Sequence, residues 1–129
     1  MNGYVIDHAA LLAGLGEKGP EHDRREMSRL IHDAVHGGPR LNVPALCLAA
    51  AAADRPAIAT HVAGLVMAAP PGVVDVHGLT RANLLDALQE LTLGWPAAHA
   101  AFVAVTTGRL VVTVDPRDYA GTGADAVAL

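Results

Sequence analysis

The chain has 129 residues, which is enough for one domain with a hydrophobic core. Hydrophobic residues make up 52% of it and aromatic residues only 3%, so the core must be built mainly from alanine, valine and leucine. The formal net charge of −4 excludes a broad basic surface for nucleic acid. Polar residues or prolines interrupt every apolar run before the roughly 18 residues of a membrane span, and no signal-peptide pattern opens the chain. Cys47, the single cysteine, excludes a disulfide framework, and we expect a cytoplasmic protein.

Short apolar segments alternate with helical segments along the chain. Strands are predicted at residues 4–7, 41–45, 73–76 and 110–115, where β-branched or apolar residues run together. Helices are predicted at residues 8–14, 21–36, 46–54, 57–69, 81–93 and 97–107. This alternation predicts a three-layer α/β/α fold with a central, mostly parallel sheet. One domain covers residues 1–129, with a Gly/Ala-rich tail from about residue 121.

Two of the predicted strands end on an aspartate. Asp7 closes the first strand, and Asp115 closes the strand at residues 110–115. Open α/β sheets place their sites beyond the carboxyl ends of parallel strands. If these two strands are neighbours, their aspartates converge at one edge of the sheet, and that edge is the candidate site.

The order of these motifs resembles that of a PIN domain, particularly the bacterial VapC-type toxins. The resemblance covers nearly the whole chain, although no single motif is specific. It is carried by the first strand with Asp7, by VPALCLAA at residues 43–50, by AAHAA at residues 97–101, and by VTVDP at residues 112–116 with Tyr119 beyond.

This resemblance implies a metal site with an incomplete set of ligands. Members of the family are typically Mg²⁺- or Mn²⁺-dependent endoribonucleases that hold the metal with three or four carboxylates. Asp7 and Asp115 match two of these, whereas the other two acids should fall near Ala50 and Gly94, where no carboxylate stands. Asp118 is a further candidate ligand from the loop after Pro116. Because Mg²⁺ requires several oxygen ligands, we expect weak metal binding or none.

Three other residues are expected at the rim of this site. His8 follows Asp7 directly, Thr113 lies on the last predicted strand, and Trp95 adjoins Gly94. Because like charges repel, we also expect that replacing Asp7 or Asp115 with alanine leaves the fold as stable or slightly more stable.

Two classes of function follow from the resemblance. The first is a degenerate PIN-like protein without nuclease activity that acts through protein–protein contacts or RNA binding. The alternative is a Mg²⁺- or Mn²⁺-dependent endoribonuclease toxin of a toxin–antitoxin pair that uses the reduced carboxylate set. The expected partners are a second copy of the chain, through helices such as residues 57–69, and an antitoxin-like protein; the net charge does not support RNA.

One further pattern concerns metals of a different kind. His32 and His36 stand four residues apart in the sequence HDAVH, and this spacing places two imidazoles on one face of a helix. The zincin signature has the same spacing with glutamate at the second position. A solvated helix face, with adventitious zinc or nickel binding, is the favoured interpretation over metalloprotease catalysis.

Overall fold

The computed structural model describes residues 3–82 and 93–129, and these form one sheet flanked by helices. The described strands are β1 (Gly3–Ile6), β2 (Arg40–Pro44), β3 (Val74–His77), β4 (Leu110–Thr113) and β5 (Ala126–Ala128). They lie in the order β3-β2-β1-β4-β5, and every neighbouring pair is parallel. This confirms the predicted α/β fold with a parallel central sheet.

Five described helices connect the strands. They are α1 (His8–Leu15), α2 (Glu21–Val35), α3 (Ala45–Asp54), α4 (Ala57–Ala68) and α5 (Trp95–Thr107), and a short 3₁₀ helix (Pro116–Tyr119) follows β4. The helix predicted at residues 81–93 falls almost entirely on residues 83–92, which lie outside the described part of the chain. None of the described helices is long and apolar enough to span a membrane.

The connections between parallel strands place helices on both faces of the sheet. From β1 to β2 to β3 the chain moves outward in one direction, and it then crosses back to add β4 on the other side of β1. Because crossovers between parallel strands are right-handed, the reversal places α5 on the face opposite α1 and α2. Helix α3 contacts both α1 and α5, and α4 packs against α1 and β3. The result is a three-layer α/β/α arrangement.

The central strands and α5 form the middle of the core. Val5, Ile6, Val111 and Val112 are at most 2% exposed, as the uninterrupted apolar character of their strands predicts. The inner face of α5 is largely alanine, which lets the helix approach the sheet closely. Gly108 ends this helix with a φ of 67°, a left-handed conformation that glycine adopts without steric cost.

Strand β5 was absent from the sequence prediction, which treated the region as a Gly/Ala-rich tail. Three residues are too few to show a period, so the strand is specified by its pairing with β4. The amide of Val111 donates to the carbonyl of Asp125 at 2.9 Å, and the amide of Leu129 donates to the carbonyl of Thr113 at 2.9 Å. The chain end therefore adds an edge strand to the sheet.

Candidate functional site

The order of the strands singles out the carboxyl edge of the sheet between β1 and β4. The connections that leave β1 and arrive at β4 run on opposite faces, so these neighbouring strands form a topological switch point, where open α/β sheets place their sites. Asp7 follows β1, and Asp115 lies two residues after β4. The structure thus brings both predicted aspartates to the same edge.

Asp7 is a buried carboxylate with both oxygens engaged. Its side chain caps α1, because Oδ1 accepts a hydrogen bond from the amide of Ala10 at 2.9 Å. Its Oδ2 accepts a hydrogen bond from the hydroxyl of Tyr119 at 2.7 Å. The residue is only 2% exposed. Both oxygens of the carboxylate therefore accept a hydrogen bond from the protein itself.

Tyr119 is held as a hydrogen-bond donor by its surroundings. It ends the 3₁₀ helix and is 2% exposed. Burial, followed by the negative charge of Asp7 and the hydrogen bond to it, raises the pKa of the Tyr119 hydroxyl well above its ordinary range. The hydroxyl consequently keeps its proton at any physiological pH, and the bond to Asp7 persists with it.

Asp115 is engaged separately. Its carboxylate caps the 3₁₀ helix by accepting from the amide of Arg117 at 3.1 Å, and it accepts two further bonds from the Arg117 guanidinium at 3.0 Å each. These hydrogen bonds lower the pKa of the Asp115 carboxyl. Ile6 pairs with Val112, so continuing the register places Asp7 opposite Thr113. Asp115 stands two residues beyond that point, roughly 6–7 Å along the strand direction.

Cys47 lies beside Asp7 and joins three helices. Its thiol is fully buried and donates to the carbonyl of Pro96 at 3.0 Å. Burial and the nearby charge of Asp7 raise the pKa of the thiol strongly, so it stays protonated. The sulfur also lies within hydrogen-bonding reach of the backbone at His8 and Ala100. The thiol therefore packs α3 against α1 and α5 and is not a nucleophile.

His99 has a similar structural position. It is completely buried, and its Nδ1 accepts a hydrogen bond from the amide of Leu46 at 3.4 Å, at the start of α3. Its ring meets that of His77 edge to face at a centroid separation of 5.9 Å. Burial, followed by the proximity of His77, lowers the pKa of His99. The ring is thus neutral near pH 7 and serves as an acceptor in the core.

The remaining predicted site residues are dispersed. Ala50 is half-buried in α3, and Gly94 is the exposed N-cap of α5, without a capping side chain. Asp118 is exposed on the 3₁₀ helix. Trp95, at 40% exposure, begins α5 beside Gly94. None of these positions adds a second carboxylate to Asp7.

Thr113 and His8 were both expected at the rim, and they differ in burial. Thr113 is 1% exposed at the end of β4, where its carbonyl accepts a hydrogen bond from the amide of Leu129. His8 is the half-buried first residue of α1 and follows Asp7 directly. Its Nδ1 atom is buried without a hydrogen-bond partner among the described residues.

Hydrogen bonds within the protein engage both carboxylates at this edge. No group of three or more histidine, cysteine, aspartate or glutamate side chains within residues 3–82 and 93–129 is arranged to hold a metal ion. A Mg²⁺ ion at this edge would share Asp7 with Tyr119 and Asp115 with Arg117, which offers two carboxylates where the ion prefers several oxygen ligands. What the arrangement does instead is tie β1, α1 and the 3₁₀ helix together.

Sequence reasoning missed the role of Tyr119. The residue was part of the resemblance, yet no function was assigned to it. The available signal was its position: one of the few aromatic residues in a chain with 3% aromatics, four residues after the aspartate that follows a buried strand. A buried tyrosine needs a partner for its hydroxyl, and the aspartate of the neighbouring strand is the acceptor within reach.

The chain was compared with family models, with curated proteins and with solved structures. No family model matches the chain, and no curated protein sequence does. Among solved structures, the crystal structure of PAE2754 from Pyrobaculum aerophilum is similar, with 22% sequence identity over 97% of this chain and 90% of that chain, and a TM-score of 0.49. A similarity of this degree carries no argument about function, which is therefore argued from the side chains.

Proposed function

We propose that this chain is a PIN-like protein that has no metal-dependent nuclease activity and acts by binding protein. The observation that carries the proposal is the hydrogen bond of 2.7 Å from the Tyr119 hydroxyl to Asp7. In the family that the sequence resembles, the aspartate at this position is a metal ligand. Here the same carboxylate is buried, caps a helix and anchors the 3₁₀ helix after β4.

The charge at the edge of the sheet supports this proposal. Catalysis of phosphodiester cleavage by metal ions needs carboxylates that hold the ions and leave coordination sites for water and phosphate. Asp7 is closed to solvent, and Asp115 carries its own arginine as counter-ion. The positions that correspond to the other family acids are Ala50 and Gly94, neither of which has an ionisable side chain.

The surface of α4 supports a protein partner, and we propose a second copy of the chain. This helix has no charged residue in twelve, yet only Ile58 and Val62 are buried. The side chain of Met67 is 87% exposed, and a side chain at Gly64 would meet only open space. An apolar helix face of this kind is normally covered. A two-fold contact pairs the neutral face with itself, which satisfies this requirement without any charged partner.

We do not expect an antitoxin-like partner to bind at the carboxyl edge of the sheet. In VapC-type pairs the antitoxin often inserts a basic side chain into the acidic site. That contact requires accessible carboxylates, whereas Asp7 is buried and Arg117 already occupies Asp115. A basic insertion at these two residues would compete with contacts that the fold makes internally.

The proposal is tested by metal titration and RNA cleavage on the same samples. Wild type, Asp7→Asn and the control Asp125→Asn are titrated with Mg²⁺ and Mn²⁺ by calorimetry and incubated with single-stranded and structured RNA. Asp125 is an exposed carboxylate that precedes β5, at the opposite edge of the sheet. We expect no RNA cleavage by any of the three proteins and no heat of metal binding that depends on Asp7. Metal-dependent cleavage that Asp7→Asn abolishes and Asp125→Asn preserves would establish the ribonuclease alternative instead.

A further inference from the structure

His32 and His36 form an imidazole pair at the end of α2. Their rings are stacked with centroids 4.1 Å apart and planes 29° from parallel. Both residues are exposed, and both line a groove of about 780 Å³ between α1, α2 and α4. The spacing of four residues places the side chains one above the other on the same helix face. This pair lies away from the carboxyl edge of the sheet and plays no part in the function proposed above.

A hydrogen bond orients His36 for metal binding. Its Nδ1 lies 2.7 Å from the carbonyl oxygen of His32. A carbonyl oxygen only accepts, so Nδ1 must carry the proton and the Nε2 atom of the neutral ring keeps its lone pair. Histidines that bind metals usually donate their second ring nitrogen to a backbone carbonyl or carboxylate in this manner, which fixes the tautomer and the ring orientation. The neutral His36 ring is thus prepared as an Nε2 ligand.

The separation of the two rings suits a chelate. Zinc–imidazole bonds are about 2.0–2.1 Å long, so two nitrogens on one tetrahedral ion stand about 3.3 Å apart. The ring centroids are 4.1 Å apart, which is close to this nitrogen–nitrogen separation. Imidazole nitrogens select Zn²⁺, Ni²⁺ and Cu²⁺ over Mg²⁺, which prefers oxygen.

We propose that His32 and His36 bind one divalent transition-metal ion, with zinc or nickel as the ions to test. Water completes the coordination, because no third protein ligand among the described residues is placed to join them. The groove also contains His61, Glu17 and Arg24. An ion held by both rings bridges successive turns at the end of α2 and resists fraying there.

The test is a calorimetric titration of the tag-free chain with ZnCl₂ and with NiCl₂ at pH 7.5. The variants are His32→Ala and His36→Ala, and the control is His22→Ala, which removes an exposed histidine from the first turn of the same helix. We expect one site per chain, at least about a tenfold loss of affinity in each of the two variants, and wild-type affinity in the control. Because metal and protons compete for imidazole nitrogens, binding should weaken at pH 5.5.

A second measurement separates the pair from the rest of the groove. The variant His61→Ala should bind the ion as wild type does, and saturating metal should raise the melting temperature of wild type and of His61→Ala alike. Absence of binding in wild type would overturn the proposal. Equal affinity in His32→Ala, His36→Ala and wild type would also overturn it, since the metal would then bind elsewhere.

Discussion

The hydroxyl of Tyr119 donates a hydrogen bond of 2.7 Å to Oδ2 of Asp7, joining residues that are 112 positions apart in the chain. The other oxygen of the same carboxylate holds the first turn of α1. One buried aspartate thereby fixes the helix that leaves β1 and the 3₁₀ helix that follows β4.

Asp7 is therefore expected to stabilise the fold, contrary to the expectation drawn from charge repulsion. Asp7→Ala removes the helix cap and leaves the Tyr119 hydroxyl buried without its acceptor. We expect the free energy of unfolding to fall by about 3 kcal/mol, from about 1 kcal/mol for the cap and about 2 kcal/mol for the buried bond to a charged group. Urea denaturation followed by circular dichroism measures it, and a variant as stable as wild type would contradict this role.

Tyr119→Phe isolates the hydroxyl from the ring. This change leaves Oδ2 of Asp7 buried without its donor, and we expect a loss of about 2 kcal/mol in the free energy of unfolding. Tyr4→Phe is the matched control, because Tyr4 is half-buried in β1 and its hydroxyl makes no hydrogen bond with the described residues. Equal effects of the two substitutions would show that the bond to Asp7 contributes nothing.

Asp115 should behave differently, although the resemblance places it beside Asp7 as an equal partner. Its ion pair with Arg117 is local and solvent-exposed, and pairs of this kind contribute little to stability. Arg117→Ala is expected to leave the urea midpoint close to that of wild type, and Asp115→Ala to lower the free energy of unfolding only slightly, because it also removes the cap of the 3₁₀ helix. A large loss of stability in Asp115→Ala but not in Arg117→Ala would point to a contact of the carboxylate other than the arginine.

Strands β1 and β4 could be predicted from the sequence because each is a run of apolar or β-branched residues. The same reasoning brought Asp7 and Asp115 to one edge, since parallel strands end together. It could not tell whether a carboxylate at a strand end faces solvent or is buried, and this depends on Tyr119, which is distant in sequence. It also missed β5, whose three residues form a strand only because β4 offers an open edge.

The proposed self-association through α4 predicts a dimer that a single charge disrupts. Met67→Glu places a carboxylate on a face without charged residues, so the paired copies would bring two like charges together. We expect sedimentation velocity to show a dimer for wild type and a monomer for Met67→Glu at the same concentration. Val105→Glu is the control, because Val105 is 54% exposed on α5, away from the proposed contact. We expect this variant to remain dimeric. A monomeric wild type at high concentration would exclude the dimer.

His99 should make the stability of the fold sensitive to pH. Burial and the neighbouring His77 lower the pKa of His99 in the folded protein below its ordinary value near 6.5. Below pH 6.5 the unfolded chain therefore takes up a proton that the folded chain resists, and the free energy of unfolding falls as the pH falls, whereas above pH 6.5 the contribution is complete.

His99→Asn removes the imidazole that takes up the proton and keeps an acceptor near the position of Nδ1, to which the amide of Leu46 donates. We expect the free energy of unfolding of this variant to fall less steeply below pH 6.5 than that of wild type. The difference in slope is at most about 1.4 kcal/mol per pH unit, which is the effect of one proton. Urea denaturation at half-unit steps from pH 5 to 8 measures the slope. His22→Asn, at an exposed position, should keep the wild-type slope. If His99→Asn keeps it as well, the proton that destabilises the fold binds at another group.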